Sequence, residues 1–209
     1  MDNLSLLASL LGAPLQAHDP YIWLHLAALA WIVFLVYWVV SARKVKAVKR
    51  REPRGERLAQ ICIMATAYVL LFNDVLGRGW LRTRFLPDSA AIGGFGVAVT
   101  FLGIAFAIWA RRHLGENWSA TVTVKEGHEL IRSGPYRCIR HPIYTGMLLG
   151  FAGAAIALGE YRGLIAVALA TANLYVKARK EERFLAREFG QDWEEHKRHT
   201  GLFFPKLFA

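Results

Sequence analysis

The residue types best suited to chemistry are concentrated in one short segment, SGPYRCIRHPIYTG at positions 133–146. Its two prolines fix φ and disfavour a helical conformation at the preceding residue, so Gly134 and His141 are predicted to lie at bends. Pro142 suits the first position of the apolar helix that follows. The N-terminus of that helix has unpaired N–H groups and a partial positive charge. With Arg140 and His141 beside it, it can hold an anion or a polar cofactor tail.

Two adjacent carboxylates, Glu181 and Glu182, follow the last apolar segment of the chain. A carboxylate near the edge of a membrane is costly unless it meets a polar partner. Lys177 and Lys180 are placed to supply that partner on an exposed helix. In the alternative interpretation, one carboxylate faces the bend at His141 and binds ribose hydroxyls or a sulfonium. The sequence leaves both interpretations open.

Other types of site find less support in the pattern. Tyr136 and Tyr144 flank the bend, where they can stack on an aromatic ring or anchor the chain at lipid headgroups. His196 and His199 are three residues apart on a predicted helix, but no third ligand stands at a matching spacing, so we expect no metal. The sequence also contains no GxSxG motif, P-loop or dinucleotide-binding fingerprint. The common soluble-enzyme motifs are therefore excluded.

Five long segments that are free or nearly free of charged residues dominate the rest of the chain, which has 209 residues, of which 55% are hydrophobic. The five segments are Tyr21–Ser41, Leu58–Leu76, Ala91–Ala110, Ile143–Gly159 and Gly163–Val176. The first three have about the 20 residues that a membrane-spanning helix needs, and the last two are predicted to form a tight helical hairpin. The sequence therefore predicts an all-α integral membrane protein with about five transmembrane helices.

The basic residues that give the net charge of +10 are unevenly distributed. Two long loops and the segment after Val176 hold 22 Lys and Arg, whereas the opposite side holds four. By the positive-inside rule, the loops and the C-terminus lie in the cytoplasm and the N-terminus lies outside. We expect the excess charge to meet anionic lipid headgroups of the membrane, and we expect no nucleic-acid partner.

Three further segments have local predictions. Leu4–Leu15 predicts a short interfacial helix. The residues Ala120–Val124 and Glu129–Ile131 flank a Lys-Glu-Gly turn and predict either a short hairpin or extended pieces. The charged segment after Val176 predicts a separate amphipathic helix, bent or ended at Gly190. Glycines in the third and fourth apolar segments, including Gly146 and Gly150, predict close helix packing rather than a nucleotide loop.

Several of these motifs together resemble the isoprenylcysteine carboxyl methyltransferase family and its prokaryotic integral-membrane relatives. The motifs are RHPIYTG at 140–146, EE at 181–182, FGQDWEEH at 189–196 and FP at 204–205. The segment LGENWSATVTVKEGHELIRSGPY at 114–136 also fits the family. The resemblance covers about residues 113–207. RHPxY by itself is shared with sterol reductases, and the combination is more specific.

The resemblance implies a cytoplasmic pocket for S-adenosylmethionine between the last helices and the C-terminal segment. Carried over by position, the cofactor-binding residues are His128, Glu129, Leu130, Ile131, Tyr136, His141, Pro142, Ile143, Tyr144 and Glu181. We interpret Arg140 and Glu182 as catalytic, and Lys177 and Arg111 as contacts of the acceptor. Lys177 stands where the family usually has arginine, and it cannot form a bidentate pair with a carboxylate. Residues 111–209 would form the methyltransferase core, and residues 1–110 would contribute the first three membrane helices.

The implied function is transfer of a methyl group from S-adenosylmethionine to a lipophilic acceptor that arrives from the bilayer. The sulfonium is an activated donor, so the protein mainly supplies proximity and a dry, oriented channel. The acceptor atom can be oxygen, sulfur or nitrogen. The alternatives are an NADPH-dependent membrane reductase of the sterol type and a non-catalytic membrane scaffold or small transporter.

Overall fold

A computed structural model describes residues 20–42, 54–73, 78–115 and 130–206. The α-helices in this part of the chain are α1 Pro20–Ala42, α2 Arg54–Phe72, α3 Ala90–Leu114, α4 Pro142–Leu158, α5 Tyr161–Phe189 and α6 Gln191–His199. Two short 3-10 turns, Gly79–Arg82 and Gly134–Arg137, precede α3 and α4. The described residues form no β-strand, only two isolated bridges. The predicted all-α class is confirmed.

Three helices, α1, α2 and α3, are long and apolar enough to cross a membrane, and α4 is apolar but shorter. On α1, Ala27 and Trp31 are buried, whereas Ile32, Val36 and Val39 are more than half exposed. A large apolar surface of this kind would be unfavourable in water and suits a lipid environment. The chain is thus an integral membrane protein, as predicted, and its orientation stays a prediction.

An aromatic cluster holds the first helices against α4. The Trp31 ring of α1 lies 5.1 Å from the Tyr68 ring of α2 and 4.8 Å from the Phe151 ring of α4. Edge-on and tilted ring contacts at these distances are favourable beyond the apolar area that they bury. This cluster therefore joins three helices at the centre of the bundle.

Glycines let α3 and α4 approach each other closely. A Cβ added at Gly103 would lie 2.6 Å from the carbonyl oxygen of Gly146, and one added at Gly153 would lie 2.5 Å from the amide nitrogen of Thr100. Such distances are too short for any side chain, so the two backbones are in direct contact. The predicted role of these glycines in helix packing is confirmed.

A tight turn joins α4 to α5, as the sequence predicts. Gly159 adopts a left-handed conformation with φ +70° and ends α4. Arg162 is fully buried, and its Nε lies 2.6 Å from a carboxylate oxygen of Glu160. The same guanidinium donates to the carbonyl oxygen of Asn73 at 2.9 Å, which ties the turn to the end of α2.

The structure corrects the prediction of a separate amphipathic helix after Val176. One continuous helix, α5, runs from Tyr161 to Phe189. No proline or glycine interrupts the chain between Val176 and Phe189, so the change from apolar to charged residues does not end the helix. Gly190, with φ +51°, ends it instead, and α6 follows. Glu181 and Glu182 thus lie within a long helix and not beyond its end.

The bounds of α2 and α3 also differ from the apolar segments that the sequence predicts. α2 covers 54–72 where 58–76 was predicted, and α3 extends to Leu114 where the prediction stopped at Ala110. Charged residues extend the start of α2 and the end of α3, because hydropathy marks the membrane and not the hydrogen-bonded helix. The predicted segments Leu4–Leu15 and 120–129 lie outside the described residues.

Candidate active site

The proline-rich segment forms two bends, as predicted. Gly134 has φ +58° and is the first residue of the 3-10 turn, in which Pro135 follows it. His141 has φ −125° and ψ 60° and is the N-terminal capping residue of α4, with Pro142 at the first helical positions. The bends place the His141 side chain, which is 7% exposed, against the C-terminal half of α5.

The residues Thr200–Phe204, here called the C-terminal strap, lie along this bend. The amide of Arg140 donates to the carbonyl oxygen of Gly201 at 2.9 Å, and the amide of His141 donates to that of Leu202 at 3.1 Å. The amide of Gly201 in turn donates to the carbonyl oxygen of Cys138 at 3.1 Å. The strap therefore satisfies main-chain groups of the bend that no helix or sheet would otherwise pair.

Glu181 faces the bend with both of its carboxylate oxygens. Oε1 accepts a hydrogen bond of 2.6 Å from the Tyr144 hydroxyl, and Oε2 lies 3.4 Å from Nδ1 of His141. The Tyr144 ring stacks on the His141 ring, with centroids 5.4 Å apart and planes 3° from parallel. Nζ of Lys177 lies over the Tyr144 ring, 5.6 Å from its centroid. The structure thus brings four predicted site residues together.

The surroundings of Glu181 keep it ionised. Burial raises the pKa of Glu181, but the hydrogen bond with His141, the charge of Lys177 and the hydroxyl of Tyr144 together lower it more. The pKa therefore lies below its ordinary value of 4.5. The side chain is 22% exposed, so its charge remains accessible from outside the cluster.

Glu182 is paired with two arginines and is only 5% exposed. Its Oε1 accepts a 2.5 Å hydrogen bond from Nε of Arg140, and its Oε2 accepts one of 2.7 Å from Arg179. Arg140 also donates to the carbonyl oxygen of Thr200, so this pair connects α5 with the C-terminal strap. Arg140 and Glu182, the two residues that we interpret as catalytic, are therefore paired with each other.

Tyr136 and Arg111 line the side of the cluster nearest α3. The Tyr136 hydroxyl donates to the carbonyl oxygen of Ala110 at 3.4 Å. Burial, with a contribution from the charge of Glu181, raises the pKa of Tyr136, so it stays neutral. Arg111 is buried and donates to the carbonyl oxygens of Gly115 and Ser41. The contact between Arg111 and an acceptor stays a prediction.

The remaining predicted cofactor residues fall into three groups. Pro142 and Ile143 are buried in the first turn of α4, and Ile143 packs in the same cluster as Tyr136 and Tyr144. Leu130 and Ile131 are half-buried, and Ile131 packs against that cluster. His128 and Glu129 lie outside the described residues.

The helix α6 packs its buried residues, Trp193 and His196, toward the site, with ring centroids 5.9 Å apart. Burial and the charges of Arg132 and Arg140 lower the pKa of His196, so it is neutral at neutral pH. Arg132 reaches back to α6 and forms a 2.9 Å ion pair with Asp192. Among the described residues no group of three or more His, Cys, Asp or Glu is placed to hold a metal ion.

Sequence reasoning missed the partners supplied by the strap and by the first turn of α4. Thr145 donates to the carbonyl oxygen of Phe203 at 2.6 Å, and the Phe203 ring meets the His141 ring edge-on at 6.4 Å. The FP motif at 204–205 indicated that the C-terminal segment belongs to the site, but the strap contacts residues that are far away in the sequence. No local pattern shows which residues they pair with.

An apolar groove of about 710 Å³ lies on the outer face of α5 beside the strap. It is lined by Ala168, Thr171, Ala172, Tyr175, Leu202, Phe203 and Phe204. Phe203 is therefore shared between this groove and the His141 cluster.

The sequence of this chain is similar to a known protein family and to several known proteins. The family model described as phospholipid methyltransferase matches residues 92–192. The chain is 38% identical over 130 residues to the cobalt-zinc-cadmium resistance protein CzcN of Cupriavidus metallidurans, covering 61% of this chain and 54% of that protein. The chain thus spans about half the length of that relative.

A second relative and a solved structure carry the name that the motifs suggest. The chain is 29% identical over 148 residues to the "Probable protein-S-isoprenylcysteine O-methyltransferase" of Oryza sativa subsp. japonica, covering 67% of this chain and 78% of that protein. The structure of the eukaryotic intramembrane Ras methyltransferase, isoprenylcysteine carboxyl methyltransferase, matches with a TM-score of 0.50 and 23% identity. That match covers 70% of this chain and 52% of the other, and at this identity it shows the fold. In sequence this chain is thus similar to a probable protein-S-isoprenylcysteine O-methyltransferase, and in fold it is similar to isoprenylcysteine carboxyl methyltransferase.

Proposed function

We propose that this protein is an S-adenosylmethionine-dependent methyltransferase that acts on a lipophilic acceptor. The observation that carries the proposal is the cluster of His141, Tyr144 and Glu181 at a proline-fixed helix N-terminus. The family resemblance assigns this cluster to the cofactor, and the relatives' names support methyl transfer. Residues 111–209 would form the catalytic core, with the active site and the C-terminus in the cytoplasm.

The described residues fit such a cofactor in charge and in hydrogen-bonding capacity. Nε2 of His141 is buried and has no hydrogen-bond partner among the described residues. Glu181 is ionised and partly exposed, so it can accept hydrogen bonds from ribose hydroxyls or face a positive sulfonium. When bound, S-adenosylmethionine supplies a methyl group that is already activated by the positive sulfur.

The protein's own residues then bind, orient and exclude water. Glu181 and His141 hold the polar part of the cofactor, and the aromatic ring of Tyr144 offers a surface for a cation or an adenine ring. The buried Arg140–Glu182 pair keeps the bend, α5 and the strap in register. An ionised carboxylate acceptor held beside Lys177 would need no general base, because the bound donor would supply an activated methyl group and would leave as the neutral thioether.

Lys177 is the candidate contact for the acceptor. It lies beside Tyr144 on the same helix face as Glu181, one helical turn earlier. A lysine there offers a point charge rather than a bidentate fork, so it recognises an anion with less geometric selection than arginine does. The acceptors that we propose are acids, thiols and amines that carry a long apolar group.

The test is incubation of purified protein with radiolabelled S-adenosylmethionine and a panel of lipophilic acids, thiols and amines. We expect label in one lipophilic product, and we expect Glu181→Gln and His141→Gln to weaken cofactor binding by roughly 10- to 100-fold, the effect of losing a charged hydrogen-bond partner. Glu56→Gln, which removes an exposed carboxylate paired with Lys180, is the matched control. Tight binding of NADPH with no binding of S-adenosylmethionine would instead support a reductase.

A further inference from the structure

The orientation of the His141 ring is not set by the ring's own nitrogen atoms alone. Nδ1 lies 3.4 Å from a carboxylate oxygen of Glu181, and Nε2, which has no hydrogen-bond partner among the described residues, lies 3.9 Å from a carboxylate oxygen of Glu182. Contacts at the two nitrogen atoms do not fix the tilt of the ring about the line that joins these atoms. The plane is fixed by two aromatic neighbours, Tyr144 stacked at 5.4 Å and Phe203 edge-on at 6.4 Å.

The position of Phe203 depends in turn on Thr145. The Thr145 hydroxyl donates to the carbonyl oxygen of Phe203 at 2.6 Å and also lies 3.2 Å from the carbonyl oxygen of His141. Both side chains are buried, Thr145 being 5% and Phe203 8% exposed. A single hydroxyl thus joins the main chain of the bend to the main chain of the C-terminal strap.

The strap has little freedom to adopt another path beside the bend. A Cβ at Gly201 would overlap the carbonyl oxygen of Phe204, so this turn of the chain requires glycine. The amide and the carbonyl of Gly201 are both bonded to the bend, to Cys138 and Arg140. Phe203 is therefore presented to His141 from a fixed main chain.

We propose that Thr145 is a positioning residue that acts through Phe203 to hold the His141 ring in the orientation that binds the methyl donor. The proposal rests on the proposed function, because it assigns His141 to the donor site. Thr145 itself does not need to touch donor or acceptor. Its effect passes through the strap carbonyl, so a serine, which keeps the hydroxyl, should serve as well.

The first measurement follows the ring itself. The full chain in detergent micelles is labelled with 13C at the imidazole Cε1 of its seven histidines, and the His141 signal is assigned by its loss in His141→Gln. We expect Thr145→Val to shift or broaden the His141 signal and Thr145→Ser to restore it. Thr66→Val, which removes a hydroxyl bonded to a carbonyl in α2, is the control and should leave the signal unchanged.

The second measurement is the affinity for S-adenosylhomocysteine by calorimetry. We expect Thr145→Val to weaken binding by about tenfold, the effect of one hydrogen bond of ordinary strength, and Thr145→Ser to recover it. If the unsubstituted protein binds no S-adenosylhomocysteine, the proposed function fails, and the histidine signal still decides whether Thr145 orients the ring.

The proposal is overturned if Thr145→Val leaves the His141 signal where it was, or shifts the signals of remote histidines equally. The second outcome would show a general loss of packing. If Thr145→Val does not fold, Phe203→Leu tests the same contact from the strap side, since it removes the aromatic edge and keeps the Thr145 hydrogen bond. An unchanged His141 signal in Phe203→Leu would also overturn the proposal.

Discussion

The two adjacent glutamates of α5 have different surroundings because successive helix residues point about 100° apart. Glu181 meets Tyr144 and His141, whereas Glu182 is enclosed by Arg140 and Arg179. A doubly paired and buried carboxylate has little charge left to offer a ligand. The residue that suits a cofactor is therefore Glu181, and Glu182 suits a role in holding the site together.

Replacing Glu181 by Gln should change how stability depends on pH. Because its pKa is lowered in the folded protein, the ionised side chain stabilises the fold fully above about pH 4.5, its ordinary pKa, and loses this effect as the pH falls through the lowered value. We expect Glu181→Gln to have a lower Tm than the unsubstituted protein at pH 7, with the difference shrinking below pH 4.5. Thermal unfolding in detergent at several pH values measures this.

The control for that series is Glu56→Gln, which removes an exposed carboxylate paired with Lys180. Exposed pairs of this kind contribute little, so its Tm should stay close to that of the unsubstituted protein at every pH. A Glu181→Gln difference that stayed constant down to pH 3 would contradict a lowered pKa.

Removing Arg140 should destabilise the protein strongly. Arg140→Ala leaves the buried Glu182 with the hydrogen bond of 2.7 Å from Arg179, and it removes a donor from the carbonyl oxygen of Thr200. Breaking a buried ion pair typically costs about 3 kcal/mol. We expect a loss of that order in the free energy of unfolding, measured by denaturant titration, and a smaller loss in Arg140→Lys. Equal losses in the two variants would show that the charge does not matter.

At the scale of the elements, the contact between α3 and α4 depends on glycine. A Cβ at Gly146 would lie 2.5 Å from the carbonyl oxygen of Gly103, and the atoms it meets are mostly backbone. We expect Gly146→Ala to separate the helices and to destabilise the protein by about 1–3 kcal/mol, the usual cost of overpacking. Because α4 begins at the site, donor binding should weaken as well. Thermal unfolding and calorimetry measure the two effects.

Gly55 provides the matched glycine control for that change. It lies in the first turn of α2, and a Cβ there would meet nothing within 4 Å. Alanine favours a helix over glycine by about 1 kcal/mol, so Gly55→Ala should leave stability unchanged or raise it slightly. A similar loss in both variants would mean that helix contact is not the cause.

The sequence predicts the helices better than it predicts their connections in space. Prolines and glycines act locally, so the bends at Gly134 and His141 and the turn at Gly159 follow from the pattern itself. The predicted end of α5 at Val176 was wrong, because hydropathy reports the membrane-embedded part of a helix and not its full length. The pairing of Thr145 with Phe203 joins residues 58 apart in sequence, and such contacts leave no local signal.

The distribution of charge over the whole molecule predicts which side of the membrane holds the site. In the sequence, the excess of Lys and Arg falls between α1 and α2, between α3 and α4, and after Val176, so the end of the bundle that carries the bend at His141 should face the cytoplasm. Cys138 is exposed beside that bend, and Trp80 is exposed in the 3-10 turn on the predicted outer side. These two positions therefore report the two sides.

Cysteine labelling of cells that express the full chain tests this orientation. In a Cys62→Ala background, a membrane-impermeant maleimide should label Cys138 only after the cells are opened, because the bilayer separates it from the reagent. In a Cys62→Ala, Cys138→Ala background, Trp80→Cys should be labelled in intact cells. Labelling of Cys138 in intact cells would place the site on the outer side of the membrane, whereas S-adenosylmethionine is made and kept in the cytoplasm. It would thus count against both the orientation and a cytosolic methyl donor.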